Sequence, residues 1–284
     1  MLKKLIVILM CIALFAATAF AEEEMPNNAI PAMDHPICED EQTNVSEDDD
    51  SILYDSYNPN PFNRMVIGSD DRVTIRDTSA FPYSAIAYMK VHARCGCNWN
   101  CTGFMVGPKG MITGAHCLVC STHHKTADTI TFYFGYRSKK KYFYKYNGSF
   151  HYWYGTDFSD SGYDSEWDYG YIKLKKRVGD KTGWFGVKTM SDDSISSELL
   201  TVAGYREGKL KYDYGFADVK SSNIIYHNAD AVKGNSGGPV FYYDHGHVYA
   251  VAIHVAENTY LQKNIARRIT GRLFDSMKDD GIFD

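Results

Sequence analysis

Long hydrophobic runs are scarce in this chain of 284 residues, and only residues 5–17 form one. Lys3 and Lys4 precede that run, and the small-residue sequence Ala-Phe-Ala follows it at 19–21. This order is typical of a secretory signal, and the alternative of a retained anchor is disfavoured because the run is short for a bilayer. We expect residues 1–21 to be a signal peptide and the mature protein to be secreted, extracellular or periplasmic, without a membrane segment.

Basic residues are nearly absent from residues 22–65, which hold 12 Asp or Glu against Arg64 alone. This segment has a net charge of −11, whereas residues 66–284 carry +4. A segment so polar cannot form its own core, so it is either a disordered tail or an acidic leader over a mildly basic domain. A wide basic patch is also missing. The Lys run at 139–141 fits a solvated hairpin tip, and we expect no nucleic-acid partner.

Helical periodicity is confined to residues 265–277, and no internal repeat indicates a solenoid. Short β-rich runs dominate instead, and 219 residues after position 65 suit one unit of two small β-barrels. We expect strands at 130–136, 141–146, 169–174, 200–204, 240–243 and 247–254, and a helix at 265–277.

Two motifs carry the chemistry. In GNSGGP at 234–239, glycines let the chain turn sharply and expose the Ser236 hydroxyl, and the N–H groups of Gly234 and Ser236 can converge on an oxyanion. In TGAHC at 113–117, His116 is the candidate base that activates this hydroxyl. Asp168 lies between the two motifs in the sequence WDYGYIKL, directly before an alternating strand.

The order His116, Asp168, Ser236 resembles the chymotrypsin-like serine proteases. The sequences VIGSDDR at 66–72, FPY at 81–83, CTGFMVGP at 101–108 and RIT at 268–270 resemble the bacterial glutamyl endopeptidase branch. This resemblance implies an all-β fold of two antiparallel six-stranded barrels with a C-terminal helix. The barrels would span about 66–175 and 176–284. It also implies a monomeric endopeptidase that acts on proteins or peptides through an acyl-enzyme, without metal or cofactor.

The resemblance also implies a disulfide between Cys101 and Cys117 around the histidine loop. Cys120 would then pair with Cys95 or Cys97, leaving one thiol free. A zinc site built from the pairs at 95 and 97 and at 117 and 120, with histidines at 123 and 124, is the alternative. The C-x-C spacing and the secretory route favour disulfides.

The residues that would determine substrate specificity support two different predictions. In the resembling branch a strand histidine and the freed terminal amine contact a substrate carboxylate, and His254 and Val66 match them. Lys233 lies where it could attract a carboxylate, although Ala231 replaces a threonine that is frequent in the branch. Asp230 instead occupies the position that gives trypsin-like enzymes their preference for Lys or Arg. We favour cleavage after Glu or Asp, and trypsin-like cleavage is the alternative.

Two other functions stay open, a catalytically silent binding homologue and a quality-control protease with a peptide-binding domain. Only 48 residues follow Ser236, too few for the second barrel's end and such a domain. With this motif set, residues 22–65 are interpreted as an acidic propeptide. Neither Glu nor Asp directly precedes Val66, so an acid-specific enzyme would need a separate activating protease.

Overall fold

The computed structural model describes Ala29–Ile30, residues 66–67 and residues 70–284. The predicted signal peptide and nearly all of the predicted propeptide lie outside the described residues. Over the described part of the chain, helices are all too short or too polar to cross a membrane. The described chain is mostly β-structure, in two curled and mainly antiparallel sheets followed by a short helix, which confirms the predicted fold class.

The first sheet contains eight strands in the order β6-β7-β3-β4-β5-β10-β9, with β8 paired to β7. Its strands are β3 (Ile86–Ala93), β4 (Asn98–Met105), β5 (Gly110–Thr113), β6 (Val119–Cys120), β7 (Lys125–Phe134), β8 (Tyr144–Tyr146), β9 (Phe150–Tyr154) and β10 (Gly170–Leu174). Every pairing in it is antiparallel, which short turns between consecutive strands allow.

The second sheet contains ten described strands, with β14-β15-β18-β17-β16-β12-β13-β2 as its main path and β11 beside β17. Its strands are β1 (Ala29–Ile30), β2 (Val73–Thr74), β11 (Gly186–Lys188), β12 (Leu200–Arg206), β13 (Lys209–Gly215), β14 (Ala217–Val219), β15 (Ile224–His227), β16 (Pro239–Asp244), β17 (His247–Asn258) and β18 (Lys263–Arg268). The strand β1, from the leader, pairs with β11.

Three aromatic rings join the two sheets. Phe185, between the sheets in sequence, has its ring centroid 5.6 Å from Phe104 of β4 and 5.1 Å from Phe241 of β16. All three side chains are fully buried. Each such side chain contributes on the order of 2 kcal/mol when it leaves water, so this contact helps to hold the sheets as one body.

Two predicted boundaries need correction. Residues 263–268 form β18 rather than the start of a helix, because β18 hydrogen-bonds to both β15 and β17, and these pairings outweigh the local helical spacing. The helix is α3 (Gly271–Asp279), which Thr270 caps by accepting the N–H of Leu273. The other described helices are α1 (Gly179–Thr182) and α2 (Asp192–Ser197). The second correction concerns β2, which pairs with β13 of the second sheet although its sequence position was assigned to the first barrel.

Candidate active site

His116 and Asp168 form a buried pair. The carboxylate oxygen Oδ2 of Asp168 lies 2.6 Å from Nδ1 of His116, and its Oδ1 accepts the backbone N–H of His116 at 3.0 Å. Asp168 is fully buried and His116 nearly so. Because the carboxylate contacts both the ring and the backbone of one residue, it fixes the ring orientation and favours a proton on Nδ1.

Strand pairing brings these two residues together. Thr113, the last residue of β5, is paired with Gly170, the first residue of β10. His116 follows in the 3-10 turn Ala115–Cys117, and Asp168 lies two residues before the start of β10. Gly114 is needed here, since a Cβ on it would lie 2.9 Å from the His116 ring and 3.1 Å from the Asp168 carboxylate.

Ser236 lies in the loop between β15 and β16 and is almost entirely buried. Its carbonyl oxygen accepts the N–H of Thr102 at 2.8 Å, and the Thr102 hydroxyl donates to the carbonyl of Gly234, also at 2.8 Å. The Thr102 carbonyl in turn accepts the hydroxyl of Thr113 at 2.8 Å. One strand of the first sheet therefore links the serine loop to the start of the histidine loop.

A disulfide reinforces the histidine loop. Cys101 of β4 is bonded to Cys117, with their Cα atoms 5.8 Å apart. This is the pairing that the sequence predicted. A bond that closes a loop of 16 residues stabilises the fold by about 3 kcal/mol in the chain-entropy model.

The backbone of the serine loop requires its glycines. Gly234 has φ +103° and Gly237 has φ +76°, both in the region that favours glycine. The side chain of Asn235 tightens the same loop, because its Oδ1 accepts the N–H of Val232 at 2.8 Å. These contacts hold Gly234 and Ser236 in one short turn, where the oxyanion donors were expected.

His254 is fully buried on β17 and contacts the serine loop through its backbone. Its carbonyl accepts the N–H of Gly237 at 2.8 Å, and its N–H donates to the carbonyl of Gly238 at 2.9 Å. Its Nδ1 lies 3.2 Å from Nε2 of His227 on β15. Burial lowers the pKa of His227 to about 4, so this ring is neutral near pH 7.

Sequence reasoning missed His227. The signal was the alternation in β15, where Ile225 and His227 share the buried face while Tyr226 between them is only half-buried. Its proximity to His254 depends on β15 and β17 lying on either side of β18, an order that local patterns do not encode.

Asp230 binds the N-terminal segment. Its Oδ1 accepts the N–H of Ile67 at 2.7 Å, and its Oδ2 accepts the N–H of Asp71 at 3.1 Å. The predicted mature terminus at Val66 therefore lies beside the loop that leads to Ser236. Of the other predicted pocket residues on this loop, Ala231 is fully buried and Lys233 is exposed.

The remaining cysteines differ from the prediction. Cys95, Cys97 and Cys120 are free thiols, so the expected bond from Cys120 to Cys95 or Cys97 is absent from the described residues. All three sulfurs lie together with the imidazole of His123 at the tips of two hairpins. Cys120 therefore has two neighbouring thiols, and neither is singled out as its disulfide partner.

Comparison with known proteins agrees with this geometry. The model of the trypsin-like peptidase domain matches residues 101–251, more than half of the chain. The chain belongs to the trypsin-like peptidase family. It is 32% identical over 185 residues to a glutamyl endopeptidase of Bacillus licheniformis, covering 63% of this chain and 55% of that protein. It is 29% identical over 221 residues to a Bacillus subtilis protein named extracellular metalloprotease, covering 75% of this chain and 68% of that one.

A solved structure of a Glu endopeptidase, in complex with MPD, has the same fold. It superposes with a TM-score of 0.66 at 20% identity and covers 76% of this chain and 99% of its own. Together these comparisons identify the chain as a serine endopeptidase of the chymotrypsin-like fold that is similar to glutamyl endopeptidases.

Proposed function

We propose that this trypsin-like peptidase is a secreted enzyme that cleaves peptide bonds with His116, Asp168 and Ser236 as its catalytic triad. The observation that carries the proposal is the buried His116–Asp168 pair, with 2.6 Å between Nδ1 and Oδ2, on a loop joined through Thr102 to the loop of Ser236. A fixed imidazole of this kind presents Nε2 as a base, which an isolated surface histidine does not.

Each step of peptide-bond hydrolysis can then be assigned to a residue. His116 Nε2 takes the Ser236 proton while Oγ attacks the peptide carbonyl, and Asp168 stabilises the imidazolium that forms. The N–H groups of Gly234 and Ser236 stabilise the oxyanion. His116 gives the proton to the departing amine, and water then releases the acyl group by the same route. No metal or organic cofactor has a part in these steps.

Substitution within the triad tests this assignment. Ser236→Ala and His116→Ala are each expected to lower kcat by about 10⁶-fold, and Asp168→Asn by about 10⁴-fold, with the fold retained. The measurement is hydrolysis of a peptide substrate, with circular dichroism as the check on folding. Asp160→Asn, an exposed carboxylate in the same interstrand segment, is the matched control and should keep full activity. Folded Ser236→Ala with parental activity would contradict the triad.

We further propose that the enzyme cleaves after acidic residues, chiefly Glu. The name of the Bacillus licheniformis relative supports this specificity, as does the buried position of His254 directly behind the serine loop. Both oxygens of Asp230 already accept backbone N–H groups, which does not favour Asp230 as the anchor for a Lys or Arg side chain. Lys233 and the amine of Val66 would add positive charge near the bound carboxylate.

Cleavage-site profiling on a mixed peptide library tests the specificity. We expect cuts after Glu, with a smaller share after Asp. The preference for Glu over Gln should fall at least about tenfold in His254→Asn, whose shorter side chain no longer places a donor at the carboxylate. Asp230→Asn should keep the Glu preference. Cuts after Lys and Arg that disappear in Asp230→Asn would establish the trypsin-like alternative.

A further inference from the structure

A second cluster of chemically reactive side chains lies at two hairpin tips on the first sheet. Strands β3 and β4 are joined by a turn that contains Cys95 and Cys97, and β6 ends at Cys120, where the turn to β7 begins. Both β3 and β6 pair with β7, through Ala93 opposite Ala127 and Cys120 opposite Lys125. The shared strand places the two turns side by side.

Four potential metal-binding atoms meet there. The sulfurs of Cys95, Cys97 and Cys120 and a ring nitrogen of His123 all lie within 4.8 Å of one another. The Nδ1 atom of His123 is 3.3 Å from Sγ of Cys97 and 3.6 Å from Sγ of Cys120. A tetrahedron with Zn–S and Zn–N bonds of ordinary length has N–S edges of about 3.5 Å and S–S edges of about 3.8 Å. These two N–S distances are therefore already close to those around one zinc ion, and no two of the four ligand atoms are more than 4.8 Å apart.

The backbone of both turns supports this convergence. Gly96, between the two cysteines, has φ +84°, and the N–H of Ala93 donates to the carbonyl of Cys97 at 2.9 Å, closing the first turn. In the second turn the N–H of His124 donates to the carbonyl of Cys120 at 2.8 Å. Cys120 is buried while Cys95 and Cys97 are half-buried and His123 is exposed, so an ion can enter from the solvent side.

We propose that Cys95, Cys97, Cys120 and His123 bind a structural zinc ion. Three thiolates and one imidazole complete a tetrahedral site with no open position, which is the form of a structural rather than a catalytic site. A disulfide would use two of these donors and leave one thiol and the imidazole without a role. The donor set also differs from the zinc alternative considered from the sequence, since Cys117 is bonded to Cys101.

The site has a consequence for the active centre. Cys120 lies three residues after Cys117, and the 3-10 turn that carries His116 leads directly into β6. An ion that joins the two hairpin tips would hold β6 against β7 and so brace the base of the histidine loop. Metal binding to the folded protein alone also raises its stability by mass action.

The test measures zinc bound to the full chain carrying Ser236→Ala, which prevents self-digestion. After exposure to zinc and dialysis into metal-free buffer, we expect about one zinc ion per chain by elemental mass spectrometry. His123→Ala is expected to bind zinc at least about tenfold more weakly. The matched control is His124→Ala, the neighbouring exposed imidazole outside the cluster, which should bind zinc as tightly as the parent. A strong chelator should lower the Tm of the parent and leave that of metal-free His123→Ala unchanged.

Two results would overturn the site. One is a non-reducing peptide map that joins Cys120 to Cys95 or Cys97. The other is equal zinc affinity in His123→Ala and His124→Ala. If His123→Ala does not fold, the cobalt-loaded parent decides the matter. Intense sulfur-to-cobalt charge transfer with tetrahedral visible bands supports the site, and the weak colour of octahedral cobalt contradicts it.

Discussion

His227 and His254 are distant in sequence, yet the fold brings their buried rings into contact. With 3.2 Å between Nε2 of His227 and Nδ1 of His254, one ring donates to the other, so the two facing nitrogens share one proton. A second proton would place like charges side by side in the core. The lowered pKa of His227 follows from this burial.

The burial of His227 predicts a loss of stability in acid. The ordinary pKa of a histidine, which applies in the unfolded chain, is 6.5, whereas burial lowers the pKa of His227 in the folded protein to about 4. The unfolded state therefore binds more protons between these values, so this contribution is complete above about pH 6.5 and is lost as the pH falls towards 4. The difference corresponds to roughly 3 kcal/mol at about 1.4 kcal/mol per pKa unit.

Urea unfolding between pH 7 and pH 4 measures this effect. His227→Gln, whose neutral amide can still hydrogen-bond but cannot titrate, should show a flatter decline of the unfolding free energy than the parent. His151→Gln, an exposed strand histidine, is the control and should decline as the parent does. An identical decline in His227→Gln and the parent would count against the argument.

For individual residues, the sequence predicted a functional role where the residue lies in a motif of neighbouring residues. His116 and Ser236 each lie within a run of small residues whose local geometry the chemistry requires, and the pair found between His116 and Asp168 fits the predicted roles. His227 belongs to no such run. Its partner is 27 residues away, and only the sheet order brings the two rings together.

Among the elements, the serine loop depends on a close approach to the first sheet. A Cβ on Gly237 would lie 2.2 Å from the hydroxyl of Thr113 and 2.3 Å from the carbonyl of Thr102. These two atoms are hydrogen-bonded to each other and join β4 to β5 directly beneath the serine loop. Any side chain here would have to push the two loops apart.

Gly237→Ala is therefore expected to abolish most activity and to lower the unfolding free energy by about 3 kcal/mol or more, from backbone strain plus overpacking. Gly246→Ala is the matched control. Gly246 also has a positive φ, +86°, but a Cβ there would have no atom within 4 Å, so only the strain of about 1 kcal/mol remains. Peptide hydrolysis and urea unfolding of both variants measure the contrast. Equal losses in the two would show that the contact with Thr113 is unimportant.

Strands were predicted well where apolar and polar residues alternate along the sequence. They were predicted poorly where pairing with neighbouring strands determines the secondary structure. The expected strand at 247–254 lies within β17, and that at 200–204 lies within β12. Ile265 and Ile269 have helical spacing, yet Ile265 is in β18, since its backbone bonds to strands on both sides. Helical spacing alone carries no information about such neighbours.

For the whole molecule, the N-terminal segment is the feature that connects processing to the site. Asp230 receives the N–H groups of Ile67 and Asp71, so a chain cut before Val66 would place a new amine next to this loop. The amine has a reference pKa of about 8 and is mostly cationic at neutral pH. We therefore expect the cut both to release the leader and to strengthen binding of an acidic side chain.

Comparing chains that begin at Val66 and at Met65 tests this expectation. The extra residue moves the amine away from the pocket, so kcat/KM for a Glu substrate should fall by about tenfold or more, while the Tm stays the same. A substrate with Gln in place of Glu should be affected much less, which separates loss of charge from general damage. Equal kcat/KM for the two chains on the Glu substrate would argue against a role for the amine.

The sequence by itself determined the family, the all-β class and the residues of the proposed triad, because each depends on short runs whose local chemistry is distinctive. It also determined the Cys101–Cys117 pairing through its resemblance to a known branch. Only the tertiary structure decided that Asp230 binds the N-terminal segment, that His227 backs His254, and that three thiols and His123 share one cluster. Each of these depends on which strands become neighbours. Strand order reflects the burial and hydrogen bonding of the whole chain, so it cannot be read from residues that are adjacent in sequence.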